Sequence, residues 1–476
     1  MTGTGTTIKD MTGVGVKGLR PMMFGLAVIL VSTLLPPMGG ITPQGWKALG
    51  ILIFAIVFWA SEVVEPAVTG VAILVLLPML GILAYDETFL GMGTVMIWRL
   101  VGIFMVTEAI QKVGLDKRIA YKVLLLARGN VKKSLFLIVM LSYFFVFVVP
   151  GALSRTLLLA TISLGILKAV DIHPPSNVGK FLFIAIPVIG LISSSSVIVG
   201  ASVEVYAVTL FDALLGVKWT YFPWMIVNMP IGLITTVIVY FLLLRLFPPE
   251  IAELPGGKAF IEQELKQLGV MGRQEKLVLV LFIFLLFLWF ADLSEKFPAE
   301  LFMALVLFFP GLKVLEWKKS VKMVNWDIII LFGASTALAV GLQKSNVVAW
   351  MAEAALQGLG NLGPVGLALA VAVLTALIRL GMSSMTATVA TLLPLVIIIA
   401  NKLGINPTWL GMVCVVSSSM AFFIPSQSPN TLVTYAYGYY SARDLLRAAL
   451  WLAPVYIFVS IALAYWYWPL VNLPLR

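Results

Sequence analysis

The sequence predicts an all-α polytopic membrane protein built from two inverted-topology repeats, with about eleven transmembrane helices and two re-entrant hairpins. Three observations carry this. Of 476 residues, 61% are hydrophobic and only 11% charged, with a mean hydropathy of +1.04; charged residues make up roughly a quarter of a soluble domain. Apolar stretches interrupted by Ser, Thr and Gly occur at corresponding places in both halves. Basic residues crowd the segment before the first interrupted stretch and are nearly absent from its counterpart.

Composition also removes function classes. The single cysteine, Cys414, allows no internal disulfide, and the single histidine, His173, gives little support to a metal cluster or a His-based triad. There is no HExxH, no intramembrane aspartate pair and no nucleophile elbow, so an enzyme is not expected. The net charge of +10 reads as Lys and Arg in cytoplasmic loops, with a lipid bilayer as the surroundings and no nucleic-acid partner. Lys9, Lys17 and Arg20 precede the first apolar run without a clear cleavage site, which suits an uncleaved first helix.

In order along the chain, residues 1–45 hold the N-terminal segment and a first span near 22–38. The first repeat, 46–246, has spans near 46–60, 66–84 and 94–110. A hairpin at 134–171 follows, broken at 151–156, with limbs of about sixteen residues, short for a crossing. A helix broken by Ser193–Ser196 and Gly200–Glu204 covers 180–211, and a span lies at 222–244. Residues 247–276 form a charged cytoplasmic linker with a short amphipathic helix. The second repeat, 277–476, has spans near 277–290, 299–309 and 326–342, a hairpin at 361–403 and a broken helix at 408–440. A last span ends near Tyr467.

The halves align at about 230 residues, Ser154-Arg155-Thr156 against Ser384-Met385-Thr386. Lys112, Lys117, Arg118, Lys122, Arg128, Lys132 and Lys133 precede the first hairpin; Lys344 and Glu353 are the only charges before the second, up to Pro364. The positive-inside bias then puts equivalent segments on opposite sides, with Asp292, Glu295 and Lys296 outside, the N-terminus cytoplasmic and the C-terminus out. The expected location is the inner (cytoplasmic) membrane. Paired interrupted segments point to a transporter site at the repeat interface.

Each tip puts Ser and Thr at the start of a returning helix, where hydroxyls cap and backbone N–H groups face the tip. Two such ends converging from opposite faces make an anion site, and unwound carbonyls beside it suit a cation. The expected substrate contacts are Ser154, Arg155, Thr156, Ser384, Met385, Thr386, Ser426, Pro429 and Asn430. The expected cation site, or its substitute, is Arg155, Ser194, Ser195, Gly200, Glu204, Ser383, Ser419 and Asn430. Sodium is the only metal ion considered, and no other cofactor is expected.

These motifs resemble the divalent anion/sodium symporter (DASS) family. The second half carries the closer likeness: Trp326–Gly333, Met385-Thr386-Ala387-Thr388 through Pro394, Pro425 to Asn430 and the Tyr-rich 435–440. The linker ending Arg273-Gln274-Glu275-Lys276 is also similar. The resemblance implies an elevator-type secondary transporter of small anions, with di- or tricarboxylates as the default and sulfate also carried in the family. Hairpins and broken helices would move against a homodimeric scaffold. Substrate would sit between the tips, and sodium between each tip and its neighbouring broken helix.

The sequence also departs from the family. Arg155 and Met385 stand where the family has Asn, and Glu204 falls near another such Asn. A charge at membrane depth is costly unless paired. Either the Arg155 guanidinium replaces the first sodium with Glu204 as counter-ion, or it grips a substrate carboxylate directly; the sequence reading leans to the direct grip. With Met385 offering only a thioether, sodium symport, proton coupling and cation-independent exchange all stay open. A sodium/proton antiporter or an arsenite-type carrier of the same superfamily is the further alternative. Arg379, just before the second tip, adds positive field there or lies at the interface.

Overall fold

In the computed structural model, the described residues are 16–37, 40–61, 63–149, 151–254, 256–291, 293, 297–347, 350, 362–382 and 384–476. Lys9, Asp292, Glu295, Lys296, Glu353 and Ser383, invoked above for the first helix, for orientation or for the cation site, fall outside them.

Helices make up most of the described residues. The helices are α1 (Val16–Leu34), α2 (Pro43–Ser61), α3 (Pro66–Met79), α4 (Tyr85–Phe89), α5 (Val95–Lys112) and α6 (Leu115–Leu125). The first hairpin is α7 (Val131–Val148) and α8 (Ala152–Ala169). The broken helix is α9 (Asn177–Ser194) and α10 (Ser202–Leu215), followed by α11 (Tyr221–Leu246) and the linker helix α12 (Gly257–Gln267). The second half runs α13 (Arg273–Phe290), α14 (Ala299–Phe308), α15 (Trp317–Met323) and α16 (Trp326–Lys344). The second hairpin is α17 (Pro364–Gly381) and α18 (Met385–Lys402), then α19 (Pro407–Ser417), α20 (Pro429–Tyr435) and α21 (Ala442–Trp466). Among the described residues, nine helices are long and apolar enough to cross a membrane, with 85–112 counted as one.

The hairpin limbs correct one expectation. Each has 18 residues, not about sixteen. At 1.5 Å per residue that is about 27 Å, so length alone does not mark them as re-entrant. The limbs are longer because Asn130 caps α7 through the Lys133 N–H, and because the first turn closes in three residues. Gly151, at φ +85°, provides a backbone conformation that side chains disfavour.

The inversion of the repeats is visible along α21, whose 25 residues span about 37 Å. At its start, Asp444 bonds Lys180 of α9 at 3.0 Å, and nearby Tyr439 donates to Ile172 O at the base of the first hairpin. At its end, Trp409 donates to Ala464 O, and Asn406, past the base of the second hairpin, donates to Leu475 O. The hairpin bases thus lie at opposite ends of one long helix, and their tips point toward each other.

Two bodies emerge from the packing. Helices α7, α8, α9 and α11 form one packed group that α20 and α21 join, α10 packs on α18 and α19, α17 and α18 pack on α19, and α19 packs on α21. Against them stand α1 to α3 and the set α5, α13, α14 and α16. Helix α16 packs on both α3 and α10, so it joins the two bodies beside the breaks.

Candidate functional site

Tips and breaks meet at one cavity of about 350 Å³. Three helix N-caps form part of its wall: Gly151 for α8, Ala201 for α10 and Ser384 for α18. Each brings the partial positive end of a helix of 14 residues or more toward one space. Ser428, Pro429 and Asn430 come from the second break. Leu100, Ile103 and Phe104 of α5, with Asn325 and Ile328, close it from the other body.

The second tip follows the capping expectation. Ser384 accepts the Ala387 N–H at 3.2 Å, and Met385 and Thr386 face the cavity. Thr386 shares a 3.0 Å hydrogen bond with Ser202, which joins the second tip to the first break.

The first tip does not. Its N-cap is Gly151, three residues before Ser154, so Ser154 and Thr156 fall inside the helix and away from the cavity. Ser154 is exposed, and Thr156 is buried against Gly190. In the second break the cavity takes Ser428 instead of Ser426, because Pro425–Gln427 forms a 3₁₀ turn that leaves Ser426 exposed.

Arg155 departs most from its expected role. It is 1% exposed and does not line the cavity. Nη1 donates to Val149 O at 3.0 Å and Gly200 O at 3.2 Å; Nη2 donates to Gly190 O at 3.0 Å and Ser194 Oγ at 2.9 Å. One guanidinium therefore gathers the tip carbonyl, the break carbonyl and the end of α9. Those donors are spent within the protein, so the direct grip on substrate is not what this arrangement makes.

Glu204 is fully buried, and neither carboxylate oxygen has a side-chain hydrogen-bond partner. It makes no ion-pair contact with Arg155; the two charges act on each other through space. Ser195 turns away, donating to Ile192 O, while its carbonyl accepts from Trp224. Ser419 is buried and lies off the cavity wall.

The second junction echoes the first. Arg379, fully buried in the cavity wall, donates from Nη1 to Met382 O of the second tip. Gln427 donates to Arg379 O at 2.8 Å and to Met420 O at 3.4 Å. Guanidinium groups thus hold both tips. The carbonyls that a sodium ion would need at the first junction already accept from Arg155, so these residues do not fit that ion there. At the second, donors also take Met382 O and Met420 O. The residues missed above as contacts are Ser202, Ser428, Asn325 and Arg379. A serine immediately before Pro429 is a capping signal that would have found Ser428.

Residues 17–473 match the family described as the sodium:sulfate symporter transmembrane region. The chain belongs to the sodium:sulfate symporter family. The likeness to the divalent anion/sodium symporters read from the motifs therefore extends over nearly the whole chain. A membrane protein of Cupriavidus necator is 27% identical, over 93% of this chain and 91% of its own length. The sodium-dependent dicarboxylate transporter SdcS of Staphylococcus saprophyticus is 23% identical, over 95% and 90%. Among solved structures, Neisseria gonorrhoeae MtrF, presented with a class of antimetabolite efflux pumps, has a TM-score of 0.55 at 13% identity, covering 95% of each chain. The Alcanivorax borkumensis YdaH transporter has a TM-score of 0.52 at 14% identity, over 94% of this chain and 98% of that one. At such identities these two share the fold alone. This member of the symporter family is a multi-pass membrane protein that transports anions, and it is not an enzyme.

Proposed function

We propose that this protein carries small di- or tricarboxylates across the cytoplasmic membrane by an elevator motion, with guanidinium groups in place of the coupling sodium ions. The observation that carries the reading is the single cavity on which both tips and both breaks open. Three helix N-termini and the charge of Arg379 set its potential positive, which suits an anion. Hydroxyls and amides of Ser202, Thr386, Ser428, Asn325 and Asn430 supply polar contacts around it.

In this reading, α7 to α11 and α17 to α21 move as one body against the rest, carrying the cavity past Leu100, Ile103 and Phe104. The moving body keeps its own fixed charge. The Arg155 guanidinium needs no partner ion to hold Val149 and Gly200 together. Two copies of the chain form the working unit, with the N-terminus in the cytoplasm.

The test is uptake of labelled succinate into proteoliposomes, with and without a sodium gradient, and with unlabelled dicarboxylate inside. The expected result is uptake that ignores sodium and is accelerated by internal anion. Uptake that requires sodium would overturn the cation-independent part. Absence of flux in both formats, across succinate, citrate and sulfate, would overturn the substrate class.

A further inference from the structure

A second cavity, about 260 Å³, lies at the far end of the first hairpin, lined by Leu126, Lys132, Lys133, Phe136, Leu137 and Tyr240. It sits where the end of α6 meets the first turn of α7 and the flank of α11. Lys132 and Lys133 occupy the first helical turn of α7, which holds no acidic residue. Cations at a helix N-terminus oppose the helix dipole, so local energetics do not explain two of them there. Among the described residues, neither ammonium has an ion pair or a side-chain hydrogen bond.

The rest of the cavity is apolar and built. Phe136 and Tyr240 meet edge to face at 5.2 Å, and the Tyr240 hydroxyl donates to Lys132 O at 3.1 Å, fixing the lysine turn against α11. Leu126 and Phe241 are 69% and 63% exposed, so the surface around the cavity is oily. Two cations without an ion pair above an aromatic and aliphatic wall, at the lysine-rich end of a membrane helix, match one chemistry. That chemistry is a phosphate headgroup joined to acyl chains.

We propose that this cavity binds an anionic phospholipid of the cytoplasmic leaflet, its phosphate on Lys132 and Lys133 and an acyl chain along Phe136 and Leu137. The bound lipid bridges α6 to the hairpin base and α11, stiffening the joint between α6 and the body that holds the anion cavity. The proposal does not depend on which anion is carried.

The experiment uses the purified full chain in detergent. Phosphatidylglycerol, phosphatidylcholine or inorganic phosphate is added, with bound lipid counted by native mass spectrometry and the unfolding midpoint followed by heating. Phosphatidylglycerol is expected to stay bound and raise the midpoint, with neither effect from phosphatidylcholine or from phosphate. At roughly a fivefold loss per surface lysine, the double change K132Q/K133Q is expected to weaken phosphatidylglycerol binding roughly thirtyfold. If the double variant does not fold, K132Q and K133Q are read singly for the smaller loss. An equal shift with phosphate alone would make this a soluble-anion site and overturn the lipid. Equal retention of phosphatidylcholine, or undiminished phosphatidylglycerol binding by the variants, would overturn the lysine site.

Discussion

Ser202 and Thr386 lie 184 residues apart in the chain, and their hydroxyls share a hydrogen bond of 3.0 Å at the cavity wall. The contact links the first break to the second tip, so it ties one repeat to the other at the point where an anion would bind. Thr386→Val keeps the shape and removes the hydroxyl. It is expected to cost about 1 kcal/mol of stability and to raise the KM for the transported anion. Adding Ser202→Ala is expected to cost little more, because the shared bond is already gone. Additive losses in a double-mutant cycle would show that the two hydroxyls act separately.

Arg155 is expected to behave as a structural cation. Arg155→Met leaves the carbonyls of Val149 and Gly200 without their donor and Glu204 without its nearby charge. Breaking such a buried set costs about 3–5 kcal/mol, read as a large fall in the unfolding midpoint. Glu204→Gln in the same chain is expected to restore part of it. A variant of normal stability that has merely lost affinity for anion would return Arg155 to the substrate.

Arg379 is expected to act on the anion through charge. A unit charge in the cavity wall is worth about 2 kcal/mol at an effective dielectric near 20. Arg379→Gln should therefore raise KM by about tenfold or more for a dianion, with a smaller change for a monoanion. Arg379→Lys keeps the charge and is expected to lose less. Equal losses for both ions would mean that the guanidinium works only by holding Met382.

Gly200 shows how tightly the break is folded. A Cβ there would lie 2.0 Å from Ser194 O, a backbone atom that has no room to move. Gly200→Ala is expected to cost about 3 kcal/mol or more and to draw the Gly200 carbonyl away from Arg155. A thermal midpoint within a degree or two of the parent protein would contradict this geometry.

Asp116, in the connecting helix α6, supplies a pH test outside the membrane. Burial pushes its carboxyl above the usual aspartate range, against the Lys117 backbone N–H that bonds it at 2.8 Å. The folded state therefore holds a proton that the unfolded state has already lost, and stability falls as pH rises from the unfolded pKa to the raised one. Asp116→Asn is expected to raise the midpoint at neutral pH and to flatten the curve in that window. An unchanged pH profile would show that the carboxyl is solvated.

Much of this architecture is legible in the residues. Hydropathy marks the helices. The Ser- and Gly-broken stretches mark the tips and breaks, because backbone can leave a helix at membrane depth only where it lines protein or a cavity. Within the site, legibility depends on capping. Ser384 and Asn430 are found because their surroundings carry cap signals, while Ser154 and Ser426 are misplaced by two or three residues. A helix that starts at Gly151 rather than Ser154 rotates every later side chain, and motif matching does not see that rotation.

Arg155 and Arg379 show the remaining divide. From the amino-acid order alone come a helical membrane protein, its internal repeat, its family and the presence of uncommon charges at two tips. Which charge faces the anion and which is spent on carbonyls is a matter of a few ångströms between segments 35 to 45 residues apart. Hydrogen-bond donors are shared out only when the break folds back onto the tip. That folding sends Arg155 inward to Val149 and Gly200, and it leaves the cavity to Arg379, Ser202 and Thr386.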